Sequence, residues 1–216
     1  MRRSDLFRFL AIICCFSMLF LPSCSKKLTR QDDGGAFYDK KEDIKYYLAS
    51  PSYEPIAMGE EVYAKSGKTE FFEIIGLSPE EWLCQTYGGV YYAEGVDLPE
   101  IDEMEIDHIR VMDDTTLVSF VKDSEVIDDI IGVYLSGESV EYYNYTPKVN
   151  WTLKFADEEL GLYYVMNYIE YAEDHIEVVD GVEINHGRKF ILDVYNDVFT
   201  PAGDWFDETV NSYYAE

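Results

Sequence analysis

The sequence predicts an α+β domain, a curved antiparallel β-sheet of hairpins with two to four short helices packed on one face. Three patterns carry this expectation. Val149, Trp151, Leu153 and Phe155 alternate with Asn150, Thr152 and Lys154, the period of a half-buried strand. Turn signals at residues 157–161, at Asp180-Gly181 and at Asn185-His186-Gly187 then separate successive β-prone runs at 162–171, 176–179, 182–184 and 189–195. Between them and the first half of the chain, Val126, Ile127, Ile130, Ile131, Tyr134 and Leu135 recur at the spacing of one helix face.

Taken in order, residues 39–49 place Ile44, Tyr47 and Leu48 at helical spacing, with Pro51 as a stop, and predict a short helix. Residues 61–65 and 69–75 flank Ser66-Gly67-Lys68 and predict a hairpin. Ser78-Pro79-Glu80-Glu81 offers an N-cap, a proline at the first helical position and a glutamate at N3, so a second helix is expected up to Gly88-Gly89. A strand at 90–93 follows, then a hairpin of 109–112 and 117–121 about Asp113-Asp114. Ser124 is expected to cap the clearest helix, with Glu125, Asp128 and Asp129 in its first turns and Gly137 as its stop. Asp204 heads a last short helix carrying Trp205, Phe206, Thr209, Val210, Tyr213 and Tyr214. The segments 107–113 and 174–180 both contain Asp-His-Ile, an internal echo without a fixed period.

The chain holds 17 basic and 43 acidic residues. Residues 1–23 contain Arg2, Arg3 and Arg8 but only Asp5, so the remainder has 14 basic and 42 acidic residues, a net charge of −28. Such a field repels phosphates and excludes nucleic acid as a partner, and it equally repels anionic lipid headgroups. With 47% hydrophobic and 16% aromatic residues, the composition supports one sizeable core without disulfides.

The N-terminus supplies an address. Arg2 and Arg3 precede an apolar run over residues 9–21, interrupted only by Ser17, which is too short to span a bilayer but suits the apolar region of an export signal. It ends in Leu21-Pro22-Ser23-Cys24, which resembles the lipobox of bacterial lipoproteins. The resemblance implies that Leu21 and Ser23 guide cleavage and that Cys24 receives diacylglycerol and becomes the new N-terminus. Pro22 departs from the residues commonest in that motif. Ser23 and Ser25 also fit ordinary signal cleavage, which gives a secreted protein as the alternative. The expected organisation is a signal at 1–23, a lipidated flexible tether at 24–36 and one acidic extracytoplasmic domain at 37–216. Cys14 and Cys15 lie in the signal and Cys24 takes the lipid, so Cys84 is the single thiol of the folded part, expected as a buried small hydrophobe.

No Gly-x-Ser-x-Gly elbow, phosphate-binding loop, dinucleotide fingerprint or His-Glu-x-x-His motif occurs, so no catalytic residue, cofactor or metal ligand is assigned. His108, His175 and His186 become ligands only if the fold gathers them, although strand alternation puts His175 and Glu177 on one face. The acidic clusters lack the spacing of a calcium loop. Tyrosine is abundant, with 19 residues and several doublets. Tyr91, Tyr92, Tyr163 and Tyr164 are the candidate binding residues, since outward rings in a row would make a contact surface. The expectation is a non-catalytic binding domain for an extracellular protein or envelope glycan. The alternatives are an envelope hydrolase whose carboxylate and histidine meet only in space, and an immunity-type antagonist of a basic toxin. Replacing Cys24 with alanine is expected to move the chain from the membrane fraction to the soluble fraction; unchanged membrane association on fractionation contradicts the lipid assignment.

Overall fold

The structure, a computed structural model, describes residues 25–31, 35–140 and 146–203. Leu21, Ser23, Cys24, the Tyr142-Tyr143 and Tyr213-Tyr214 doublets and the helix expected after Asp204 lie outside the described residues.

The first half of the chain curls into a nearly closed barrel. Its strands are β1 (Lys26–Lys27), β2 (Thr29–Arg30), β3 (Phe37–Asp39), β4 (Ile44–Leu48), β6 (Met58–Ser66), β7 (Thr69–Ile74), β8 (Trp82–Cys84) and β9 (Val90–Ala93), in the order β1-β6-β7-β8-β9-β4-β3-β2. The two outermost strands are halves of one stretch joined by Leu28. Lys26 and Lys27 run parallel to Ala64 and Lys65, while Thr29 and Arg30 pair antiparallel with Tyr38 and Phe37. One short segment therefore bridges both edges of the sheet, which removes free edges that would otherwise recruit another chain. Leu28, Phe37, Tyr46, Phe71, Leu83 and Tyr91 fill the interior, where Phe37, Phe71 and Tyr91 meet edge to face with centroids 4.7 to 5.5 Å apart.

The second half forms a sheet in the order β11-β10-β12-β13-β14-β15. These strands are β10 (His108–Asp113), β11 (Thr116–Val121), β12 (Val149–Asp157), β13 (Leu162–Val179), β14 (Val182–Asp193) and β15 (Val198–Pro201). A seventh strand, β5 (Tyr53–Pro55), leaves the barrel between β4 and β6 and pairs with the start of β13, Tyr53 opposite Tyr164. Helix α1 (Ser124–Ser136) contributes Ile127 and Ile130. They join one contiguous core with Phe72, Trp82 and Val90 of the barrel wall and with Ile109, Phe155, Tyr164 and Tyr168 of the second sheet. No helix among the described residues is long and apolar enough to cross a membrane.

The expected α+β class is corrected to a mostly β architecture: 54% of the described residues are strand and 9% helical, with one α-helix and a 3-10 turn at Ile101–Glu103. The helices expected at 39–49 and 78–88 are absent. In the first, Tyr46 enters the barrel while Tyr47 lies against Tyr92 outside it, so β4 mimics helical spacing because both of its faces bear aromatic rings. In the second, the helix-start chemistry of Ser78 is spent on a single turn, Ser78 O accepting from the Glu81 and Trp82 amides, before Trp82 enters the ladder. Asn185-His186-Gly187 is a bulged part of β14 rather than a turn. Residues 26–27 and 29–30 are strand and Leu28 between them is buried, so this part of the expected tether is ordered against the barrel.

The helix at 124–136 and the hairpins about Gly67 and Asp114 lie where the patterns put them. Asp123 rather than Ser124 is the N-cap, accepting from the Glu125 amide at 3.0 Å. Gly137 ends the helix for a steric reason. Its φ of −70° suits any residue, but a Cβ there would sit 1.8 Å from Thr200 Cγ2 and 2.7 Å from the Val133 carbonyl oxygen. Gly137→Ala is therefore expected to cost about 2 kcal/mol through overpacking. Gly132→Ala, whose Cβ meets nothing within 4 Å, should instead stabilise the helix by about 0.5–1 kcal/mol. Urea unfolding of both variants checks the pair, and equal effects contradict the packing of α1 on β15.

Candidate functional site at the base of a hairpin arm

β13 and β14 are longer than the sheet that holds them. β12 pairs with β13 only as far as Glu170, and β15 pairs with β14 only from Phe190 onward. Among the described residues the ribbon beyond those points is two-stranded, and nine residues at about 3.3 Å each give it a reach of roughly 30 Å. Asp180 and Gly181, both at positive φ, close its tip in the backbone form that tight hairpins require. The register sets Ile176 opposite Asn185, Glu177 opposite Ile184, Val178 opposite Glu183 and Val179 opposite Val182. Both faces of the arm thus carry aliphatic side chains. Ile176, Val178, Val179, Val182 and Ile184 are between 40% and 64% exposed.

The root of the arm is polar. Glu170 is buried, with Lys148 Nζ at 3.2 Å and Arg188 Nε at 3.6 Å. Farther out, the register shifts on either side of His175, and Gly187 at φ 77° marks a bulge. Bulges re-aim side chains, and here His186 of β14 stacks on His175 of β13, ring centroids 5.1 Å apart at 28°. His186 Nε2 lies 2.9 Å from Glu177 Oε2. One donor atom from each of His175, Glu177 and His186 falls within 4.8 Å of the others, a two-imidazole, one-carboxylate set of the kind that holds a transition-metal ion. A half-open cavity of about 480 Å³ adjoins it, lined by Thr146 and residues 171–176, His175 among them.

The tyrosines chosen from the sequence lie elsewhere. Tyr91 is in the barrel, Tyr163 and Tyr164 are buried in the second sheet, and Tyr92 is half-buried between Trp82 and Tyr47. Each strand doublet does send its rings to opposite faces, but both faces are covered, so no contiguous row of outward rings forms among the described residues. Tyr87 and Tyr195 are exposed singly. Tyr164 instead serves a buried polar knot. Its hydroxyl donates to Asp193 Oδ2 at 2.7 Å, which also receives Tyr134 OH and Asn196 Nδ2, while Oδ1 takes Ser52 Oγ and the amides of Tyr195 and Asn196. Burial pushes the Tyr164 phenol far above its ordinary range, so it remains a donor. With six donors on one carboxylate, Asp193 fixes structure rather than offering an acceptor to a substrate. Cys84 is fully buried, its thiol pushed up to about 11 by desolvation.

His108 is not gathered with the other two histidines. It is buried, stacks on Phe120 and has Glu158 Oε1 3.5 Å from Nδ1. Burial lowers its pKa below the ordinary 6.5, outweighing Glu158 and Asp107, and Lys122 and Arg110 act in the same direction. Glu158 is largely exposed, so its attraction is screened. A base whose folded-state pKa is depressed stabilises the fold above its unfolded value and loses that contribution as pH falls below it, because the unfolded chain takes up the proton first. His108→Gln should therefore flatten the fall in Tm as pH drops below about 6.5; parallel melting profiles for wild type and variant contradict this. Compared with known proteins, the chain matches no family model, no curated protein and no solved structure.

Proposed function

We propose that the chain is a lipid-anchored extracytoplasmic domain, itself non-catalytic, that binds a protein through the β13–β14 arm. The observation that carries this reading is the exposure of five aliphatic side chains within residues 176–184, on a ribbon whose outer edges have no strand partner among the described residues. Exposed apolar side chains gathered on one element mark interaction sites, and here Val179, Val182 and Ile184 share one face of the ribbon while Ile176 and Val178 share the other; free strand edges also accept an added strand. Aliphatic side chains favour a protein over a glycan, whose recognition draws on exposed aromatic faces; here the candidate rings are largely covered. The arm also bears Asp174, Glu177, Asp180 and Glu183 on a strongly acidic body, so the partner is an apolar surface with a basic rim. A basic toxin belongs to that class of partner.

The lipid assignment rests on the signal-like N-terminus, and the barrel supports it. Lipid on Cys24 would leave Ser25 alone before β1, so the barrel would stand close against the headgroups. Exposed Lys27 lies opposite Lys65 in the ladder and Lys68 follows in the next turn, which brings Lys27 and Lys68 near the anchor, while Lys65 is engaged by Glu70 at 2.6 Å.

A second reading, an envelope hydrolase, draws on the His186 and Glu177 pair at 2.9 Å beside the cavity. It requires turnover of an envelope ester or glycan that Glu177→Gln abolishes. The binding reading is tested by placing a photo-crosslinking residue at Val178 of the full chain in its native envelope, with Tyr87 as the control position. The expected result is an adduct with a basic protein from position 178 only, weakening as salt rises and lost in Val182→Asp, a substitution at an exposed site. Adducts solely with a second copy or with the chain's own residues 204–216, equal yields from position 87, or no adduct contradict it.

A further inference from the structure

We propose that His175, Glu177 and His186 bind a divalent transition-metal ion of zinc's class and that the ion clamps the two strands of the arm at its root. This inference does not depend on what the arm docks against. The donor set is two imidazoles and one carboxylate, which suits zinc and its neighbours rather than calcium or magnesium, whose sites are built from oxygen. The ligands come from both strands of the ribbon: His175 and Glu177 stand two apart on β13 and so share a face, and His186 reaches them from β14 through the bulge.

The geometry is close to what an ion needs. Donors on a tetrahedral zinc lie about 3.3 Å apart; those of Glu177 and His186 are at 2.9 Å, and all three fall within 4.8 Å. Rotation of the imidazoles closes the remainder. Phe190 backs His175 edge-on at 6.1 Å and limits its retreat. Local charge also favours a cation. Glu173 and Asp174 adjoin the site in sequence, and the nearby Arg188 is engaged by Glu170 at 3.6 Å. Three protein ligands leave the fourth tetrahedral position to water or to a small ligand in the adjoining cavity, of which His175 forms part of the wall.

The binding of one ion would stitch β13 to β14 where their ladder is irregular, between Glu170 and Ile176, and so fix the direction in which the arm projects. The experiment is titration of the metal-free full chain with zinc alone, by calorimetry and by competition with a chromogenic chelator. Cobalt serves as a spectroscopic probe of tetrahedral coordination. One zinc per chain is expected, not displaced by excess calcium, with at least a tenfold loss of affinity in Glu177→Gln and in His186→Ala. Circular dichroism verifies that both variants are folded, and Glu177→Gln keeps the shape of the side chain should His186→Ala disturb the ribbon. Stoichiometric binding that both variants retain, displacement by calcium, or no binding by wild type overturns the proposal.

Discussion

The structure depends on a wall of barrel strands that must be apolar on both faces. Along β7, β8 and β9 successive side chains enter different cores: Phe71, Leu83 and Tyr91 fill the barrel, while Phe72, Trp82, Cys84 and Val90 pack toward the second sheet. Strands buried on both sides cannot alternate apolar with polar, and they need no helical layer to cover them. The second sheet supplies that cover, with α1 alone added beside it. β5 stitches the two parts together, pairing with β13 while Tyr53 meets Tyr164 edge to face at 5.3 Å and Ser52 donates to Asp193. Lys154 and Glu54 add an ion pair across the same junction.

The arm is what this arrangement leaves over. Its base is neutralised by Glu170 with Lys148 and Arg188 and backed by a small cluster of Phe190, Tyr171 and Phe199, so the ribbon leaves the body at a packed root. Beyond that root the described residues leave its aliphatic side chains exposed. A barrel that conceals its own edges and a hairpin that displays them form a contrast within one chain, and the polar triad of His175, Glu177 and His186 lies where the two regimes meet. Anchoring at one end and contact at the other would then belong to separate elements, the first to residues beside β1 and the second to β13 and β14.

Legibility in the sequence followed the solvent. Where one face is wet, as in β12, alternation located the strand, and Leu153 and Phe155 are fully buried as expected. α1 was legible from its stripe, although Leu135 at the end of that stripe is exposed. Where a strand lacks a polar side the pattern fails: Ile44, Tyr47 and Leu48 of β4 imitate helical spacing, and Trp82-Leu83-Cys84, buried on both faces, offers no alternation to set against the helix-start signal at Ser78. The tyrosine doublets mislead for a related reason, since Tyr92 packs against the second core and Tyr163 is buried, so neither ring faces water as a free contact. The candidate site was half visible. Alternation paired His175 with Glu177, but Asn185-His186-Gly187 resembles a turn, which hid His186. The Asp180-Gly181 turn held the missing signal, because counting outward from it brings residue 186 opposite residue 175.

Native-state hydrogen exchange, followed segment by segment, tests the two-faced wall most directly. If the barrel and the second sheet share one core, amides of Phe71–Ile74, Trp82–Cys84 and Tyr164–Ile169 exchange together, at the free energy of global unfolding, while those of Ile176–Ile184 exchange by local opening. Barrel strands that exchange well before the second sheet would show two independent units, and an arm as protected as the body would show that its aliphatic surface is covered; either result contradicts the account.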